Sequence, residues 1–288
     1  MSKQLLPIKK LYIDSRFRSL NSQSSTDCKI PLKQSVQLPD RCVAFIDDII
    51  IPHAWYSVEN YNNKLYFRRV IRNTSTDAVE SFTDHIFALT VQNHTGDTVA
   101  NNIKALLNDN FGANQFDVVY NARRNTITIT SQTPGQFFHI WTDLELSNNV
   151  SLSTGVWSGA SYDSSNLQSI NSMLRNENTS QEFFTYESGF IDLLNVHNLY
   201  IQSPNLGSFN TLGARGEQNI IKKVPVSSNF GYLIIDQIVS NHDYIDVSRQ
   251  VLTQLEFRIT DTNGNIIDLH GASWSASVVF TLEGGEDN

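Results

Sequence analysis

His94-Thr95-Gly96-Asp97 is the tightest polar cluster in the chain, and an imidazole close to a carboxylate is the kind of pair that general acid–base chemistry uses. The other histidines are scattered, and the four residues stand directly before an apolar series at helical spacing. The cluster therefore reads as a helix entrance, with Asp97 placed to cap free backbone amides. Asp261-Thr262-Asn263-Gly264-Asn265 begins like a calcium loop, but its glycine is misplaced and its twelfth position carries no glutamate, so a tight turn is the expectation. Gly155-Val156-Trp157-Ser158-Gly159 has its serine in the wrong place for a nucleophile elbow, and the chain holds no P-loop, no GxGxxG and no HExxH. Cys28 and Cys42 form no CxxC and have no histidine at a zinc-ligand spacing, which leaves reduced thiols. A glycosidase would need two of the 29 acidic residues to converge, and no spacing singles out a pair. The expectation is a protein that is not an enzyme, with no catalytic, cofactor-binding or metal-binding residue.

Binding chemistry is scarcely better served. Arg68, Arg69 and Arg72 beside Tyr66 and Phe67, and Arg123-Arg124 beside Tyr120, could stack on and pair with nucleic acid, but such residues more often cap strands or face solvent. Lys222-Lys223 reads as charge on an edge strand that discourages misplaced pairing. Four N-x-[ST] sequons, at Asn73, Asn93, Asn149 and Asn178, follow from a composition crowded with Asn, Ser and Thr.

The elements that would position these residues are mostly short strands. Val43–Ile46 and Ile49–Ile51 lie between Pro39-Asp40 and Pro52, and Lys64–Phe67 follows the turn-like Asn60–Asn63. Ile127 and Ile129 alternate with threonines. Leu255, Phe257 and Ile259 face one way, the Thr262–Asn265 turn returns the chain as Ile266–Leu269, and Trp274, Ala276, Val278, Phe280 and Leu282 share a face. Val99, Ile103, Leu106 and Leu107 fall at i, i+4, i+7 and i+8 and predict one amphipathic helix over about 97–109. It lies between strand-like Ile86–Val91 and the pair Phe116–Tyr120 and Thr126–Thr130. That suggests a small α/β domain, 63–182, inserted in a mainly β chain made of 1–62 and 183–288. A Ser-, Asn- and Gly-rich stretch, 147–181, reads as a long surface loop, and 1–18 as an extended N-terminal arm.

With 288 residues, 40% of them hydrophobic and only 17% charged, the chain can bury a large core. Its net charge of −8 disfavours a protein that coats phosphate backbone. Neither a secretion signal nor a bilayer-length apolar run is visible, so synthesis in the cytosol without secretion is expected, with no membrane partner.

Segments in order along the chain resemble the penton (minor capsid) proteins of polinton or Maverick elements, adintoviruses and related virophages. Leu11-Tyr12-Ile13-Asp14-Ser15-Arg16-Phe17-Arg18 and Ser25–Ile30 are similar to their arm and first strand, and Phe45–Tyr56 with Asn62–Phe67 to the next strand pair. The strongest likeness lies in His197-Asn198-Leu199-Tyr200-Ile201-Gln202-Ser203-Pro204-Asn205-Leu206-Gly207, Gly213–Glu217, Ile220–Val226, Gly231–Asp236 and Leu255–Asp261. It is weakest from Phe67 to Glu182. The resemblance implies a single jelly-roll β-sandwich with an inserted domain. It further implies homopentamers at the fivefold vertices of an icosahedral double-stranded DNA virus or virus-like element, in contact with a double jelly-roll major capsid protein. The chain would then reside in the virion, and the inserted domain could reach a host surface receptor.

Two other functions compete with that one. A jelly-roll glycan-binding attachment module would use Trp55, Trp141, Trp157 or Trp274 as a stacking platform, whereas the placement of Trp274 and Trp141 among apolar neighbours suits core residues. A glycan-cleaving enzyme would need the convergent carboxylates that the sequence does not single out.

Overall fold

A computed structural model describes residues 8–160, 162, 170–174, 181–194, 196–207, 211–213, 216–240 and 243–282. The chain is mainly β and divides into two compact units, Met1–Trp55 with Val196–Asn288, and Tyr56–Asn195. Both divisions fall outside the 63–182 expected from sequence, because Val58 before it and Ile191 after it belong to the second unit's core.

In the first unit, nine strands are formed among the described residues: β1 (Lys9–Asp14), β2 (Asp27–Gln37), β3 (Cys42–Pro52), β10 (Asn198–Gln202), β11 (Ile220–Pro225), β12 (Leu233–Asp236), the two-residue β13 (Ile245–Asp246), β14 (Val251–Thr260) and β15 (Ser275–Leu282). One antiparallel sheet has the order β1-β15-β3-β12, with β13 also on β3, and the other β11-β10-β14-β2. Leaving out β13 and counting the rest in chain order, the sheets read 1-8-3-6 and 5-4-7-2. That is the interleaving of two Greek keys, a jelly roll.

Alternation along each strand makes the shared core. Leu255, Phe257 and Ile259 of one sheet and Ala276, Val278 and Phe280 of the other are buried in one cluster. On β3 the inward residues switch parity, from Cys42, Ala44 and Ile46 to Ile49 and Ile51. A register shift makes this possible: Val278 stands opposite Ile46 and Ser277 opposite Asp48, so Asp47 is the extra residue of a bulge. Without it, half of β3 would turn its isoleucines to solvent.

Two expectations change here. Lys9–Asp14 are not a free arm but strand β1, paired with β15 from Lys9↔Phe280 to Asp14↔Ser275 and burying Ile13. A single buried side chain among six residues gives too little alternation to be read from sequence. After the Asp261 turn there is only a bridge between Thr260 and Ile266, not a returning strand.

The second unit has a sheet of β5 (Val79–Ala88), β4 (Lys64–Arg72) and β8 (Gln136–Ile140), in that order. A second sheet is made of β6 (Phe116–Asn121), β7 (Thr126–Ser131) and β9 (Thr185–Glu187). Helix α1 (Gly96–Phe111) packs on β6. Val99, Ile103 and Leu107 are fully buried as the spacing predicts, and Ala100 joins them while Leu106 is only partly covered. Strand β4 is buried on both faces. Leu65 and Phe67 enter the main core, where the Phe67 ring stacks on Phe138 at 5.4 Å, while Tyr66 and Arg68 point the other way. Two short helices follow, α2 (Asp143–Ser147) and α3 (Ile170–Leu174). The first ends where the expected 147–181 loop begins and the second lies inside it, so part of that loop is helical, and much of the rest lies outside the described residues.

Candidate functional site

The residues singled out for chemistry are used up in structure. His94 is buried, its Nε2 2.8 Å from the Thr90 carbonyl oxygen and its Nδ1 3.1 Å from the Thr98 hydroxyl. It does mark a helix entrance, but the cap is Thr95 rather than Asp97. The Thr95 hydroxyl accepts from the Thr98 amide, and the Thr98 hydroxyl accepts from the Thr95 amide at 2.8 Å. Asp97 is left in the first turn, where its charge suits the helix dipole. The Asp261 carboxylate is buried and saturated by its own turn, accepting from the amides of Asn263 and Asn265 at 2.8 Å each and from the Asn265 side chain at 2.9 Å. Cys28 and Cys42 are buried free thiols of the jelly-roll core, and burial pushes Cys28 up to about 11, far from a reactive thiolate. Among the described residues no three His, Cys, Asp or Glu side chains are grouped to hold a metal ion.

The Gly155–Gly159 segment has a different use. Arg68 is completely buried and pairs in two parallel hydrogen bonds with Asp84, at 2.7 and 2.6 Å. Its remaining donors reach the Thr154 hydroxyl and the carbonyls of Gly155 and Val156, and its guanidinium lies over the rings of Phe82 and Trp141. Asp84 in turn accepts from the amide and hydroxyl of Ser158 at 2.8 Å each. Burial alone would raise the Asp84 carboxyl, but the bonds from Arg68 and Ser158 outweigh it and hold the group below its usual 3.8. Arg69 bonds Gln136 and lies over Phe111, and Arg72 pairs with Glu182 at 2.8 Å, so this trio is committed within the unit. Arg124 remains two-thirds exposed and pairs with Glu187.

Lys222 contradicts its sequence reading as an edge charge. It is 4% exposed and its ammonium donates to the carbonyls of Ile238, at 2.7 Å, and of Ile46 on the facing sheet, at 3.3 Å. Lys223 is the solvent-facing lysine of that strand. Trp55, Trp141 and Trp274 are buried and offer no platform, Trp274 with its indole N–H on the Ser25 carbonyl at 2.6 Å, while Trp157 is half-buried and edge-on to Trp141 and Tyr66.

The described residues also present distinct surface features. A polar groove of about 570 Å³ runs along the outer face of β2 and β14, crossed by the pairs Asp27–Arg258 and Lys29–Glu256 at 3.1 and 3.4 Å. The two edges of the other sheet expose large apolar side chains: Tyr12 and Phe17 at the β1 edge, and Tyr232, Leu233, Ile235 and Ile238 at the β12 edge. Composition and motif spacing gave no sign of these surfaces, because exposure depends on which strands end each sheet.

The fold defines a single jelly roll whose third and fourth strands are separated in sequence by an α/β unit. Among solved structures the chain is similar to the mavirus penton protein, with a TM-score of 0.50 over 95% of this chain and 99% of that one. Identity is 11%, so the likeness is one of fold, and it agrees with the penton resemblance of the ordered segments. No family model matches the chain, and no curated protein does.

Proposed function

We propose that this chain is a structural capsid protein, a penton that forms homopentamers at the fivefold vertices of the icosahedral shell of a double-stranded DNA virus or virus-like element. Its neighbours there would be copies of itself and a double jelly-roll major capsid protein, and its location the virion, after synthesis in the cytosol without secretion. The observation that carries the reading is a likeness in fold to a penton protein across nearly the full length of both chains, inserted unit included. Supporting it, the polar and charged residues that could have served catalysis are buried in hydrogen-bond networks that hold loops and turns, as for His94, Asp261 and the Arg68–Asp84 pair. Surfaces, rather than a catalytic centre, are what this chain presents to partners. The unit Tyr56–Asn195 is read as the domain that could meet a host surface receptor.

Sedimentation of the full-length chain tests the reading. A pentamer is expected, and a species that remains monomeric at about 100 μM, far above ordinary subunit affinities, would overturn it.

A further inference from the structure

Two apolar surfaces of the jelly-roll unit play no part in its own core. The first is the open edge made by β12 and the turn after it, where Tyr232, Leu233, Ile235 and Ile238 are 68%, 55%, 55% and 77% exposed. They are held outward from beneath: Ile234 and Asp236 alternate inward and are buried, and Ile238 is tied by its amide to Asp236 and by its carbonyl to Lys222. The second lies at the opposite edge of the same sheet, where β1 is the end strand and Tyr12 and Phe17 are 80% and 72% exposed. A shallow pocket of about 330 Å³ opens beside those two rings, lined also by Asp48, Ser275 and Ser277. Exposed apolar groups clustered in this way mark contact surfaces.

The edges also differ in charge. From Ile8 to Leu20 the chain carries Lys9, Lys10, Arg16 and Arg18 against Asp14; Lys10 pairs with Asp47 of β3 and Arg16 with Asp14, which leaves Lys9 and Arg18 as the exposed cations of this edge. From Phe230 to Asp246 it carries Asp236, Asp243 and Asp246 and no Lys or Arg. Asp236 is paired with Lys222 within the fold, which leaves Asp243, half-buried and accepting from the Ser240 amide, and the exposed Asp246. Like edges would repel, and unlike edges attract.

We infer that the β12 edge of one copy seats against the β1 edge of a second copy, so that every subunit uses two different faces. The inference rests on the homopentamer proposed above and names its contact faces. A patch paired with itself would give an isologous dimer and leave the β1 edge bare. Two unlike patches at opposite edges of one sheet propagate from copy to copy, and close into a ring when the rotation per contact divides a full turn.

The test uses two variants of the full chain, Leu233→Asp with Ile238→Asp at one edge and Tyr12→Asp with Phe17→Ser at the other. All four positions are more than half exposed, so unchanged melting is expected. In sedimentation at about 100 μM the wild type runs as a pentamer, each variant alone as a monomer, and an equimolar mixture as a heterodimer, because each variant contributes one intact edge. A variant that still forms the pentamer overturns these faces and leaves the ring standing. A variant that dimerises alone makes the contact isologous and overturns the inference. A monomeric wild type overturns the ring itself and the inference with it. Should an aspartate variant fold poorly, single Tyr12→Cys and Ile238→Cys chains replace it. Under copper–phenanthroline oxidation their mixture should cross-link faster than either chain alone, and equal rates would overturn the pairing.

Discussion

The ammonium of Lys222 donates to the Ile238 carbonyl at 2.7 Å, with the Asp236 carboxylate 3.9 Å away, so a buried cation fixes the turn that follows β12. A third contact, to the Ile46 carbonyl, ties the two sheets together at the same point. Lys222→Ala leaves Asp236 buried without its countercharge and should cost about 3 kcal/mol. Urea unfolding measures that loss. Hydrogen exchange should also speed up at the amides of residues 236–240 more than in β14, and a uniform change would contradict the local role.

Arg68 and Asp84 form the corresponding pair in the second unit. Arg68→Ala strands a buried carboxylate and three carbonyl or hydroxyl acceptors, for an expected loss of about 4 kcal/mol. Arg68→Met combined with Asp84→Leu removes both charges and should cost well under the sum of the two single variants in a double-mutant cycle. Additive losses would show that the pair is not coupled. The folded Asp84 carboxyl lies below 3.8, so its contribution is present above that value and is lost as pH falls through the folded pKa.

Gly96 opens α1 against the Tyr120 ring, whose hydroxyl is anchored on Asn125 at 2.7 Å. A Cβ at Gly96 would stand 2.3 Å from two ring carbons. Alanine favours a helix by up to about 1 kcal/mol, and the overlap costs about 2, so Gly96→Ala should destabilise the unit. Adding Tyr120→Ala should restore the helix-forming benefit. A stabilised single variant, read by thermal melting, would show that the ring can move aside.

His53 stacks on Trp55 at 4.1 Å, with its Nδ1 2.7 Å from the Ser228 carbonyl oxygen. Burial lowers its pKa below 6.5, and the Ser228 contact only partly opposes that shift. The unfolded chain therefore takes up this proton first. Stability is full above 6.5, declines as pH falls below it, and the loss is complete once pH is below the folded value. Urea midpoints compared at about pH 7.5 and pH 5.5 should fall less for His53→Phe than for the wild type. Equal falls would assign the pH dependence to other groups.

Local pattern carried much of the fold, and long-range pairing carried what pattern missed. The helix was legible because four apolar residues fell at one spacing, and the core role of Trp274 because it continued the period of β15. The cap was misread because Asp97 and Thr95 are both good caps, and only the backbone path shows which one precedes the first turn. The jelly-roll order was reached through resemblance, since pairs such as Lys9↔Phe280 and Asp27↔Arg258 join opposite ends of the chain. Lys222 and Arg68 looked like surface charge because nothing local shows that Lys222 lies between two sheets or that β4 is covered on both faces.

The most direct test of the proposed capsid role is electron cryomicroscopy of particles assembled from this chain and the major capsid protein proposed as its partner. The account predicts density for the jelly-roll unit as a ring of five at each fivefold vertex, with the β12 edge of each copy facing the β1 edge of the next. Density for this chain elsewhere in the particle, or particles that close without it and exclude it, would contradict the account.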